Sequence, residues 1–162
     1  MESDLKVYVS ALQDALQSKW EILKKMLELT QAQQEVLSAE DVDMERFDAL
    51  VEEKDILLKR LERLDNGFQE LFDKIGTKLK ENAEQYKAQV LEMQNYIRTI
   101  TDCSVKIQSL EQRNKEKFTA FVSGKRKEIR EFKKSNKTAV SYYQNMANQH
   151  REWQSYFVDK KK

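Results

Sequence analysis

Leu5, Val9, Leu12, Leu16, Trp20, Leu23, Leu27, Thr30, Gln34 and Leu37 succeed one another at steps of three or four. Steps of that size return to one face of an α-helix. No period of two interleaves with them, so a strand is excluded. The pattern predicts a first helix over about residues 4 to 37, roughly 50 Å long at about 1.5 Å per residue. The stretch SAEDVDME follows, with Ser38, Asp41 and Asp43 all suited to cap a new helix. A link this short makes the flanking helices antiparallel neighbours.

A second stripe runs through Phe47, Leu50, Lys54, Leu57, Leu61, Leu64, Phe68, Leu71 and Ile75. Asn66-Gly67 lies inside it, and Asn-Gly is a strong signal for a hairpin turn. A turn there would give the apolar positions beyond it no reason to keep the phase of those before it. Strands would also bury Arg63 and Asp65 beside Leu61. The pair is therefore read as part of a helix over about residues 43 to 76, with Gly67 on its outer surface as a tolerated glycine rather than a hinge. A glycine there costs about 1 kcal/mol relative to alanine, which a long apolar seam absorbs.

Tyr86, Val90, Met93, Ile97, Ile100, Cys103, Ile107, Leu110 and Phe118 carry a third stripe to about Val122. Gly76-Thr77 and the segment ENAEQ at 81 to 85 offer the break that separates it from the second. Without that break, residues 43 to 122 would form one rod roughly 120 Å long. With it, three helices of similar length, about 4–37, 43–76 and 84–122, pack as an all-α, antiparallel long-helix bundle with coiled-coil-like seams. The break is the preferred reading.

Composition supports long helices. The chain of 162 residues has no proline and three glycines, and 35 % of it is charged. A net charge of +1 and regular apolar spacing argue against disorder of the whole chain. That near-neutral total hides a strong polarity. Residues 1–112 hold 15 Lys and Arg against 23 Asp and Glu, and residues 113–162 hold 14 against 5. The chain thus divides into a helical bundle, 1–122, and a basic, aromatic-rich C-terminal amphipathic segment, 123–162. The segment's stripe of Ile129, Phe132, Asn136, Ala139, Tyr143, Met146, His150, Trp153 and Phe157 contains weak core residues. It is expected to gain order on a partner.

No apolar run approaches the roughly 18 residues of a membrane span, and the acidic start MESD carries no secretory h-region. The single Cys103 permits no internal disulfide. A cytoplasmic location is expected. Catalytic chemistry is not: no phosphate loop, nucleophile elbow or metal-ligand spacing appears. His150 sits on an aromatic stripe without companion ligands, Cys103 reads as a small buried hydrophobe, and Glu52-Glu53 falls on exposed positions. No enzyme activity, cofactor or metal is expected.

The run KRKEIREFKKSNK, Lys125 to Lys137, invites nucleic acid or anionic lipid as partners. Glu128 and Glu131 dilute its field, and protein binding ranks above it. Tyr142, Tyr143, Met146, Trp153, Tyr156 and Phe157 crowd into sixteen residues, with no obvious groove of the same chain left to fill. Aromatics and methionine are enriched at the centres of interfaces. Val140, Tyr142, Tyr143, Met146, Trp153 and Phe157 are therefore the candidate partner-binding residues; the other reading packs this segment back as a fourth helix.

The stretch LKKMLELTQAQQEVLSAEDVDMERFDALVEEKDILLKRLERLD, Leu23 to Asp65, resembles the FlgN-type flagellar export chaperones. An LT-x-x-Q element lies at Leu29, Thr30 and Gln33. A short acidic link follows, then a Leu-x3-Lys-x-x-Leu-Leu segment at Leu50, Lys54, Leu57 and Leu58. IQSLEQRNKEKF (107–118) and SNKTAVSYYQNM (135–146) are also similar to what such proteins carry. The resemblance implies an α-helical cytoplasmic protein that binds a helical end of hook-filament junction proteins and delivers them to the export gate. It implies partner binding in the C-terminal third and a gate-docking tyrosine, matched here by Tyr142 or Tyr143. A monomer or dimer that contacts the membrane only indirectly, and no nucleic acid, would follow. The competing class is a homo-oligomeric coiled-coil scaffold without cargo.

Overall fold

A computed structural model of the chain describes residues 2–124, 141–142 and 144–146. Three long helices make up the bundle: α1 (Glu2–Ser38), α2 (Met44–Glu81) and α3 (Lys87–Gly124). The chain runs straight through Asn66-Gly67. Both residues are exposed within α2, and no glycine among the described residues has a positive φ. The break between the second and third helices is present, at residues 82–86. Helix ends differ from the expected ones by a few residues, most at Glu81, because Ile75 and Leu79 both still bury against the bundle.

The links are built from local hydrogen bonds. Asp43 caps α2, its carboxylate accepting from the Arg46 backbone N–H at 3.1 Å. Asn82 closes the helix, with its side-chain amide on the Lys78 carbonyl at 2.7 Å and its backbone N–H on the carbonyls of Lys78 and Leu79. These bonds satisfy carbonyls that the helix end would otherwise leave without partners.

Contacts along the helices define an up-down-up order. Between α1 and α2 the partners Tyr8–Lys74, Lys19–Asp65 and Gln33–Lys54 run in opposite directions. Between α1 and α3, Leu23–Cys103, Thr30–Glu111 and Ser38–Lys117 run together. α1 is the middle helix: it packs along both neighbours, whereas α2 and α3 approach each other only sparsely. They meet through long side chains, including the stacked rings of Phe47 and Phe118, 5.2 Å apart.

The buried line on α1 corrects the sequence reading. It passes through Leu5, Val9, Leu12, Leu16, Lys19, Leu23, Met26, Thr30, Gln33 and Leu37, with Trp20, Leu27 and Gln34 half-buried beside it. Strict alternation of four and three holds throughout, the rhythm of a coiled-coil seam. Stepping from Leu16 to Trp20 would spare Lys19 from burial. The protein instead buries Lys19 and meets its charge with Asp65 at 2.6 Å. α2 shows the same shift, because Val51 and Leu58 are buried while Leu57, Leu64 and Leu71 are half-buried.

Candidate functional site

The central feature is a layer of polar side chains inside the bundle. Thr30 and Gln33 come from α1, Lys54 from α2, and Glu111 and Asn114 from α3; all five are buried. Each lies on its helix's seam, so helix packing alone points it inward. Phe47 lies seven residues before Lys54 on α2 and Phe118 seven residues after Glu111 on α3, and their rings stack beside the layer.

Lys54 and Glu111 form a direct ion pair. Lys54 Nζ also donates to Gln33 Oε1 at 2.6 Å and lies 4.4 Å from the centre of the Tyr142 ring. Its three contacts match the three N–H bonds of an ammonium group. Glu111 Oε1 accepts from Lys54, from the Thr30 hydroxyl at 3.1 Å and from the Tyr142 hydroxyl at 3.1 Å. Thr30 shares its single proton between Glu111 and the Met26 carbonyl, 2.7 Å away. Asn114 ties the layer to the α1 backbone by donating to the Thr30 carbonyl at 3.1 Å.

Burial pulls the Lys54 ammonium well below the ordinary lysine range. The carboxylate and carbonyl in contact with it favour the charged form. Lys19 is also pulled down, to about 8, by burial that outweighs the attraction of Asp65. Cys103 is buried with its thiol 3.7 Å from the Leu23 carbonyl. Burial pushes that thiol up, and Lys106 opposes the shift. The arrangement suits a packed thiol rather than a nucleophile.

The sequence reading finds no obvious intramolecular groove for Tyr142 and keeps open a second reading, in which the segment packs back on the bundle. The structure follows the second at this residue, because Tyr142 is 1 % exposed and contacts Lys54 of α2 and Glu111 of α3. Met146 is half-buried and packs against the core. Both lie in helical stretches. Val140, Tyr143, Trp153 and Phe157, named with them as candidate partner residues, lie outside the described residues, as does the basic run Lys125 to Lys137.

Glu111 and Asn114 are absent from the apolar stripe read on the third helix, which used Leu110. Their signal is the step pattern Ile107, Glu111, Asn114, Phe118, in which the rhythm continues through polar residues. Thr30, Gln33 and Lys54, by contrast, are the polar positions of the two motif elements quoted above, and the fold brings them together.

Among the described residues, no helix is long and apolar enough to cross a membrane, and no cluster of histidine, cysteine or carboxylates is placed to hold a metal.

The fold is thus a three-helix all-α bundle joined by a buried polar layer, with a short C-terminal helical stretch packed against it. The FlgN protein family model matches residues 1–151, so the chain belongs to the FlgN family of flagellar export chaperones. No curated protein and no solved structure matches the chain significantly.

Proposed function

We propose that the protein is a cytoplasmic escort that holds hook-filament junction proteins before secretion and delivers them to the export gate. The observation that carries this reading is the seat of Tyr142. The groove between α2 and α3 accepts a helical stretch of the C-terminal segment, and the family match extends through that segment to residue 151. A groove that takes one amphipathic helix is suited to take another.

Cargo helices with exposed apolar stripes would self-associate in the cytoplasm, and covering the stripe prevents it. Residues 1–122 serve as the rigid bundle and 123–162 as the partner-binding segment. Val140, Tyr142, Tyr143, Met146, Trp153 and Phe157 supply the apolar contacts. Ordering of the segment on cargo lowers net affinity and permits release at the gate. Tyr142 or Tyr143 docks there; if it is Tyr142, the ring must first leave its seat. The protein works without a cofactor, catalyses no reaction, binds no nucleic acid and meets the membrane only through the gate.

Light scattering of the purified chain, alone and with a secreted hook-associated protein, tests the reading. A monomer or dimer that becomes a one-to-one complex supports it. A concentration-dependent higher oligomer that ignores the secreted protein replaces it with the scaffold.

A further inference from the structure

The Tyr142 side chain plugs a polar seat. Its hydroxyl donates to Glu111 Oε1 at 3.1 Å and its ring lies against Lys54 Nζ, 4.4 Å from the ring centre. A wholly apolar occupant would remove a donor from a buried carboxylate and a π-face from a buried ammonium, and both losses are costly. A cationic occupant would meet Lys54, and an anionic one would meet Glu111. The chemistry of the seat therefore selects an aromatic ring bearing a neutral hydroxyl.

Tyr142 fills this seat without saturating it. Gln33 Nε2, Glu111 Oε2 and Asn114 Oδ1 are buried and have no hydrogen-bond partner among the described residues. Native interiors rarely leave such atoms without partners, and an occupant that reached them would bind more tightly.

We infer that the seat is exchangeable: in place of the chain's own Tyr142 segment, it takes a helix of the secreted partner that presents a tyrosine among apolar residues. The identity of that partner rests on the escort reading above; the recognition chemistry does not. The chain's own segment is then an internal competitor, which keeps the polar layer covered until a better-matched helix displaces it.

A fluorescent synthetic peptide of residues 135–148, SNKTAVSYYQNMAN, stands in for the partner helix. Its binding is measured by anisotropy against the full-length chain and its Tyr142→Phe and Tyr142→Ala variants. The peptide is expected to bind Tyr142→Ala roughly tenfold or more tightly than the parent chain, with Tyr142→Phe between them. A peptide carrying Tyr142→Phe is expected to bind each chain about tenfold more weakly than the parent peptide. Equal binding by the three chains, equal binding of the two peptides, or no binding to Tyr142→Ala overturns the inference. Circular dichroism shows whether Tyr142→Ala folds. If it does not, the same comparisons with Tyr142→Phe, which keeps the ring, decide the matter. A secreted hook-associated protein that binds the parent chain and Tyr142→Phe with equal affinity also overturns the seat while leaving the escort reading intact. Peptide exchange without any binding of such secreted proteins supports the seat and removes the escort reading.

Discussion

Lys54 and Glu111, 57 positions apart, form an ion pair buried between α2 and α3, the two helices whose backbones approach each other least. The pair spans the groove that the middle helix leaves open, and Tyr142 completes it from the C-terminal segment. Burying two charges is favourable only while every partner is present. The pair therefore ties three helices and the C-terminal segment to one register rather than adding much net stability.

Removing one partner should expose that dependence. Lys54→Met is expected to destabilise the bundle by about 3–5 kcal/mol, because it leaves Glu111 buried without its countercharge. Lys54→Met combined with Glu111→Leu is expected to recover most of the loss. Urea unfolding followed by circular dichroism measures both. A double variant as unstable as the sum of the two single variants would contradict the coupling.

Gly67 gives a change in the opposite direction. It is exposed in the middle of α2, and a Cβ added there meets nothing within 4 Å. Alanine in that helical conformation is favoured over glycine by about 0.5–1 kcal/mol. Gly67→Ala is expected to raise the urea midpoint without changing the slope of the transition. A fall in the midpoint would mean that the backbone at Asn66-Gly67 is not helical in solution.

The same rhythm of apolar residues that identified α2 as unbroken also explains which parts of the site were legible. Helix number, order and the break near residues 82–86 follow from runs of Leu, Ile, Phe and Val, whose burial is favourable wherever they sit. Lys19, Glu111 and Asn114 were not legible from hydropathy, because burying them is favourable only when a partner from another helix arrives. Asp65, Lys54 and Thr30 are those partners, at 46, 57 and 84 positions' separation. Strict counting of four and three would have placed all of these residues on the seams. The groove that takes Tyr142 was invisible for a different reason: it exists because α1 lies between its neighbours, a property of the assembled bundle and not of any one helix.

Lys19 makes stability depend on pH in an alkaline window. Its pKa is about 8 in the folded protein and near 10.5 when unfolded. Between those values the unfolded chain binds more protons, so stability rises with pH. The penalty for burying the ammonium is fully present below pH 8 and is relieved as pH climbs towards 10.5, a change on the order of 3 kcal/mol. Urea titrations at pH 7 and pH 9.5 should show the gain, and Lys19→Met should abolish this contribution. A parent chain whose midpoint falls over that range, with Lys19→Met behaving identically, would contradict the assignment.

Cys103 offers a probe of opening. The thiol is 5 % exposed and burial pushes its pKa up, so little thiolate is accessible in the folded bundle. Labelling by a thiol-reactive dye at pH 8 is expected to be at least tenfold slower than in urea-unfolded protein, and Lys54→Met should accelerate it. Labelling at the unfolded rate would place Cys103 on the surface.

The bundle and its C-terminal segment can be separated by cutting the chain after Gly124. The cut leaves α1, α2 and α3 and their shared apolar core, and removes Tyr142 from the polar layer. The truncated protein is expected to remain soluble and helical. It should be less stable by about 1–3 kcal/mol, the cost of leaving the buried Glu111 without one of its donors. It is also expected to lose capture of secreted hook-filament junction proteins in pull-down: the seat is freed of its internal competitor, but the aromatic contacts that the segment makes with cargo outside the seat are gone. A truncated chain that captures such proteins as well as the parent would show that the seat on the three helices suffices and that the segment's other aromatics contribute nothing. A truncated chain that unfolds would instead show that the Tyr142 seat must be filled for the bundle to form, and capture would then be compared in the full-length Tyr142→Phe chain.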